Sequence, residues 1–242
     1  MVEYSPFDRD ITHNPYPAYR ALRDEAPVYH NEQVGFWALS RYADVVAAHL
    51  DTDVYSSANG VTIEGVDQGM PFLIVKDPPE HTWHRKIAGR MFTPRRINAL
   101  EPFIRTTAAS LLDKVADADE FDLIEHFSFR LPLDVISELI GIPDTVRQHI
   151  HHLSDRLVAR DESGAVTEDA ALASMELAQV FIDLVSDRRR NPGNDVITTL
   201  MNTEVADDDG NTRSLDDNEL ANRFLELAFA GHETVAKLIP TG

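Results

Sequence analysis

The 242-residue sequence contains no cysteine. That absence excludes a disulfide framework, a zinc-thiolate site and a cysteine nucleophile, and it fits a reducing cytoplasm. Basic residues are scarce as well: 22 Lys and Arg stand against 41 Asp and Glu, a formal charge of −19. Sequence-independent binding of nucleic acid needs a cationic footprint that displaces counterions from phosphate, so nucleic acid is not an expected partner. Long apolar runs are missing too, since no stretch approaches the ~18 consecutive apolar residues of a membrane span. Met1-Val2-Glu3-Tyr4-Ser5-Pro6 carries neither the basic nor the apolar segment of a secretory signal. The expectation is a cytoplasmic protein with no membrane anchor.

What is present is enough apolar material for a packed core, 43% hydrophobic against 26% charged. Residues 15–26 read as a short proline-opened helix ended by Pro27. Val28–Ser40 holds two apolar groups around turn-prone Asn31, the pattern of a small hairpin, and a helix over about 42–50 follows. Residues 56–75 mix Gly60, Gly65, Gly69 and Pro71 with Val61, Ile63, Met70, Phe72 and Leu73, which predicts an irregular apolar loop of the kind that lines pockets. Beyond Pro78 the periodicity is helical: about 78–92, 95–116, 125–140, 144–160, 167–190, 194–203 and 216–239, with Gly141-Ile142-Pro143 and Asn191-Pro192-Gly193 as breakers. Asp207-Asp208-Asp209-Gly210-Asn211 reads as a solvated turn. No repeat, linker or shift in composition marks a boundary, so 1–242 is read as one unit of mainly α class.

Two groups of residues carry chemistry. Asp77-Pro78-Pro79-Glu80 is a helix-start signal, with Asp77 as cap and Glu80 three residues later. His81 and Arg85 then share one helix face a turn apart, where two donors can converge on one anion. The same spacing also suits a solvated face. Residues 81–105 reverse the local charge, with Arg85, Lys86, Arg90, Arg95, Arg96 and Arg105 against the single acid Glu101, a feature of an anionic ligand or partner, or of two solubilised helices.

The second group lies in the final helix, whose apolar stripe predicts burial over much of its circumference and a length of roughly 36 Å. Gly231, Glu233 and Thr234 interrupt that stripe. The Thr234 hydroxyl can bond back to the Ala230 carbonyl, and Gly231 removes a side chain from the same turn, leaving a small notch. A hydroxyl backed by a carboxylate suits a diatomic ligand whose reduction needs protons, with Glu233 as donor by way of water; a kinked helix with a solvated Glu233 fits the same residues.

The order of these features resembles a bacterial soluble cytochrome P-450. The residues that carry the likeness are Asn14-Pro15-Tyr16-Pro17-Ala18-Tyr19, Gly35-Phe36-Trp37, Asp77-Pro78-Pro79-Glu80-His81-Thr82, Phe92-Thr93-Pro94-Arg95-Arg96, Leu131-Pro132-Leu133-Asp134-Val135-Ile136 and Ala230-Gly231-His232-Glu233-Thr234. The resemblance covers essentially the whole chain but only the N-terminal part of that family, up to its long central helix. It implies the N-terminal part of the cytochrome P-450 fold, a single incomplete domain, and a haem b monooxygenase that inserts one oxygen atom from O2 into an apolar organic substrate with electrons from NAD(P)H. It implies that His81 and Arg85 hydrogen-bond haem propionates, that Ala230 and Gly231 border the oxygen groove, and that Glu233 and Thr234 deliver protons. It places substrate cover at 56–75 and about 150–175, and docking of a ferredoxin or flavin-containing reductase near Lys86, Arg90, Arg95 and Arg96. The family's axial cysteine, whose thiolate pushes electron density toward the iron, is absent, so no metal ligand is assigned and the chain alone is expected to be inactive. Val235 stands where a second threonine is common. Two other readings are a truncated helical module that binds a small apolar ligand or partner, and a metal site among His81, His84, His149, His151 and His152.

Overall fold

The computed structural model describes residues 2–63, 70–157, 167–207 and 210–241. Gly65 and Gly69 of the apolar loop, residues 158–166 of the expected substrate cover, and Asp208 and Asp209 lie outside the described residues. The chain divides into two compact units, one of residues 1–70 and 74–78, the other of residues 71–73 and 79–242.

In the first unit, helices α1 (Arg9–His13) and α2 (Tyr16–Glu25) precede strands β1 (Val28–Asn31) and β2 (Phe36–Leu39) and helix α3 (Tyr42–Leu50). The strands pair antiparallel, Val28 opposite Leu39 and Asn31 opposite Phe36. The turn between them is set by Asn31, whose Oδ1 accepts the Gln33 and Val34 amides at 3.0 and 2.9 Å, and by Gly35 at φ +80°. Helix and hairpin thus stand where the sequence places them.

The second unit is helical. It comprises α4 (Glu80–Ala88), α5 (Pro94–Ala99), α6 (Glu101–Asp113), α7 (Arg130–Ile140), α8 (Asp144–Leu157), α9 (Glu168–Arg190), α10 (Val196–Met201) and α11 (Asp217–Leu238). A two-stranded ribbon, β3 (Val205–Ala206) with β4 (Thr212–Arg213), precedes α11. Helix α11 packs on α7 and α9, and α8 packs on α9. Phe181, Phe224, Ile140, Ile150, Ile197 and Leu200 are fully buried between these elements. Among the described residues no helix is long and apolar enough to cross a membrane.

Three local expectations are corrected. The single helix over 95–116 is two, because Pro102 restarts the chain in the first turn of α6. Helix α4 starts without a side-chain cap, because Asp77 is committed within its own unit to the Ser56 hydroxyl at 2.5 Å and the Ser57 amide at 2.8 Å. Ahead of α7, Ile124–Ser128 forms a π-helical turn closed by the Phe129 amide on the Ile124 carbonyl at 2.9 Å.

Candidate functional site

Helix α4 turns Trp83, His84, Ile87 and Ala88 into the core. His81 is half-buried and Arg85 exposed on the adjoining face, one turn apart. Among the described residues neither side chain makes a hydrogen bond or ion pair, so both remain available to an anion. Trp83 fixes the helix from the other side. Its indole donates to the Val205 carbonyl at 3.0 Å, and the Arg213 guanidinium lies 3.7 Å from the ring centroid.

Helix α11 begins with a capping box: Asp216 accepts the Glu219 amide at 2.8 Å and Glu219 accepts the Asp216 amide at 2.9 Å. Burial tends to raise the Glu219 carboxyl, but hydrogen bonds from Arg213 and the Asp216 amide outweigh it and hold the group below the usual carboxylate range. The N-terminal half of the helix is enclosed at Leu220, Ala221, Arg223, Phe224, Leu225 and Ala228. Its C-terminal half is enclosed only on the side of His232 and Ala236. Ala230, Glu233, Thr234 and Lys237 are exposed and share one face. The expected burial therefore holds over most of the circumference in the first half and on one side only in the second, and the polar pair Glu233 and Thr234 sits where its solvation is retained.

Within that open stripe the Thr234 hydroxyl donates to the Ala230 carbonyl at 2.7 Å. Glu233 accepts from Lys237 at 2.6 Å, with about half its side chain in solvent. Gly231 is turned away, toward α7, where a Cβ would stand 3.0 Å from Ile136 Cδ1. Its missing side chain serves helix packing, while Ala230 and Thr234 form the stripe. His232, buried, bonds the Phe129 carbonyl through Nε2 at 2.9 Å and packs edge-on against the Phe129 ring. Burial depresses its imidazole below the ordinary value of 6.5, against the opposing pull of that carbonyl.

Of the basic residues grouped by sequence, Lys86, Arg90 and Arg95 are exposed, whereas Arg96 donates to Thr199 Oγ1 at 2.8 Å and ties α5 to α10. The histidine reading fares differently. His151 is paired with Asp134 at 2.9 Å, and among the described residues no group of three or more His, Cys, Asp or Glu is placed to hold a metal ion.

Sequence reasoning did not single out Arg223 or Glu226. Arg223 is 3% exposed and contacts Glu226 through Nη1 and His84 Nδ1 through Nη2 at 3.3 Å. Glu226 also accepts the Leu73 amide at 3.0 Å. An arginine inside an apolar helical stripe was the available signal.

No protein-family model matches the chain. Individual proteins do. The chain is 38% identical over 240 residues to the putative cytochrome P450 123 of Mycobacterium tuberculosis (strain ATCC 25618 / H37Rv), covering 97% of this chain and 58% of that protein. It is 35% identical over 247 residues to the vitamin D(3) 25-hydroxylase of Pseudonocardia autotrophica, covering 99% of this chain and 59% of that protein. Its fold is similar to the crystal structure of substrate-free CYP109E1 from Bacillus megaterium, with a TM-score of 0.80 and 28% identity over 93% of this chain and 59% of that one. The chain thus spans somewhat under three-fifths of the length of the relatives it matches.

Proposed function

The chain is a homologue of the N-terminal part of cytochrome P450 proteins, and on that premise we propose that the complete protein is a haem-dependent monooxygenase acting on an apolar organic substrate. The observation that carries the proposal is the open stripe of α11, where the Thr234 hydroxyl is fixed on Ala230 and Glu233 stands one residue away.

The donor set of this chain fits the edge of a haem. His81 and Arg85, one turn apart and without other partners among the described residues, suit its propionates. No cysteine is present to supply a thiolate ligand, so this chain would hold the carboxylates of the group through His81 and Arg85 and would not supply the iron ligand. When bound, haem supplies the redox-active iron at which dioxygen is activated, with electrons relayed from NAD(P)H through a redox partner.

The chain's own residues then have separate tasks. Arg85 and His81 bind and orient the carboxylates. Ala230 leaves the oxygen face of α11 open. Thr234 holds a hydroxyl at that face, its proton shared with the Ala230 carbonyl, and so orders a water beside it. Glu233 exchanges protons with solvent on the same face and passes them toward Thr234 through water. Lys86, Arg90 and Arg95 offer an exposed cationic surface to an acidic ferredoxin or a flavin-containing reductase. The loop 56–75 and residues about 150–175 cover the substrate, 1–242 forms part of a single cytochrome P450 domain, and the setting is the cytoplasm.

The test is Thr234→Ala in the complete protein. Haem content and substrate binding stay as in the wild type, while product formed per electron falls and peroxide rises. Unchanged product per electron would remove Thr234 and Glu233 from proton delivery.

A further inference from the structure

A buried arginine in the middle of a helix is costly, and the structure shows what this one holds. Arg223 of α11 lies in the core beside Phe224 and Leu225. Burial pulls its guanidinium below the ordinary arginine value, and the charges of Glu226 and Glu219 oppose that pull. A buried ion pair is seldom more stabilising than apolar residues of the same volume, so its retention calls for a positional explanation. Arg223 grips the Glu226 carboxylate one turn away and reaches His84 of α4 at 3.3 Å. Held in place, Glu226 turns an oxygen to the backbone amide of Leu73 at 3.0 Å. Leu73 is itself buried in the core cluster of this unit and lies near the end of the apolar segment 56–75.

Glu226, Ala230 and Thr234 follow one another at intervals of four, so they share a face of α11, with Glu226 about 12 Å along the axis from Thr234. The segment Pro71–Leu73 is therefore attached to the same face that carries the oxygen-handling residues, at a fixed distance from them.

We infer that Arg223 and Glu226 are positioning residues: Arg223 orients the Glu226 carboxylate, which clasps the Leu73 amide and sets where Pro71–Leu73 meets α11. The role in positioning substrate rests on the monooxygenase reading; the clasp does not. Pro71–Leu73 is registered to α11 by a carboxylate, and α4, carrying His81 and Arg85, is registered to the same guanidinium through His84. One cluster thereby sets both α4 and Pro71–Leu73 relative to Thr234.

Amide hydrogen exchange, read residue by residue on the 242-residue chain, tests this without haem, oxygen or substrate, so its failure is separable from failure of the monooxygenase reading. In Glu226→Ala, exchange at Leu73 is expected to speed up about tenfold or more, while core amides of α9 such as Phe181 and Leu184 keep their protection. Glu226→Gln, whose carboxamide oxygen still accepts, is expected to keep Leu73 within about threefold of wild type. Should Glu226→Ala fail to fold, the double variant Arg223→Met with Glu226→Leu removes both charges together and leaves no unpaired buried ion; Leu73 is again expected to open locally, with the urea midpoint near wild type. Unchanged Leu73 protection in Glu226→Ala or in the double variant would overturn the proposal. So would equal acceleration at Leu73 and in α9, or loss of protection in Glu226→Gln as large as in Glu226→Ala.

Discussion

Gly231 of α11 and Ile136 of α7 approach so closely that a methyl group on Gly231 would stand 3.0 Å from Ile136 Cδ1 and 3.2 Å from Cγ1. A glycine in a helix interior costs ~1 kcal/mol relative to alanine, and here the close packing of two core helices returns it. Gly231→Val should destabilise the chain by about 1–3 kcal/mol through overpacking. Adding Ile136→Ala to that variant should recover part of the loss, because the two residues are in direct contact and their effects are not additive. Urea unfolding of the two single variants and the double variant measures the coupling.

His232 gives the fold a pH dependence. Its folded value lies below the unfolded 6.5, so the unfolded chain binds the extra proton first. Stability from this residue is complete above 6.5 and is lost as pH falls through that value toward the depressed folded one. The urea midpoint should therefore drop as pH falls below 6.5, and His232→Gln should flatten that part of the curve at a lower overall midpoint. A His232→Gln profile parallel to wild type would show that other groups set the dependence.

Arg213 lies over the Trp83 ring and pairs with Glu219 at 2.9 Å. Arg213→Lys keeps the charge but not the planar stack, so it should cost roughly 0.5–1 kcal/mol. Only Trp37 and Trp83 contribute tryptophan fluorescence. A change in emission in Arg213→Lys that disappears in a Trp83→Phe background would place it at this stack.

Asp195 caps α10 through the Thr198 amide at 2.8 Å and binds Arg188 at 2.5 Å. Burial raises its carboxyl, and the Thr198 amide and Arg188 outweigh that, so the group stays below 3.8 when folded. Its stability is present above 3.8 and is lost as pH falls through the folded value. Asp195→Ala should cost about 3–5 kcal/mol at neutral pH by removing the cap and leaving Arg188 half-buried without that partner, and less in acid. Thermal unfolding at two pH values checks the difference.

Much of this was legible in the sequence, for reasons particular to each element. Pro15 and Pro17, Asn31 and Gly35 act through their own backbone restrictions, so α2 and the hairpin turn can be read locally. The spacing of His81 and Arg85 and the back-bond of Thr234 to Ala230 are i, i+4 relations that a helix alone enforces. What sequence could not reveal depends on distant partners. Asp77 has the local signature of a cap and is claimed instead by Ser56 and Ser57. Gly231 reads as part of the notch until Ile136, 95 residues earlier, is placed against it. Arg223 stands out in the sequence only as a charge inside an apolar stripe, and Leu73 and His84, far away in the chain, make it and Glu226 an interior cluster.

The central claim is that the complete protein works with haem at the face of α11 marked by Glu233 and Thr234. Its most direct test is the spectrum of the natural protein isolated from its source cells, reduced and exposed to carbon monoxide. The account predicts bound haem with the red-shifted band of thiolate ligation, from a species heavier than the 27.1 kDa of this chain. A purified natural protein that binds no haem, or binds it without that band, would contradict it.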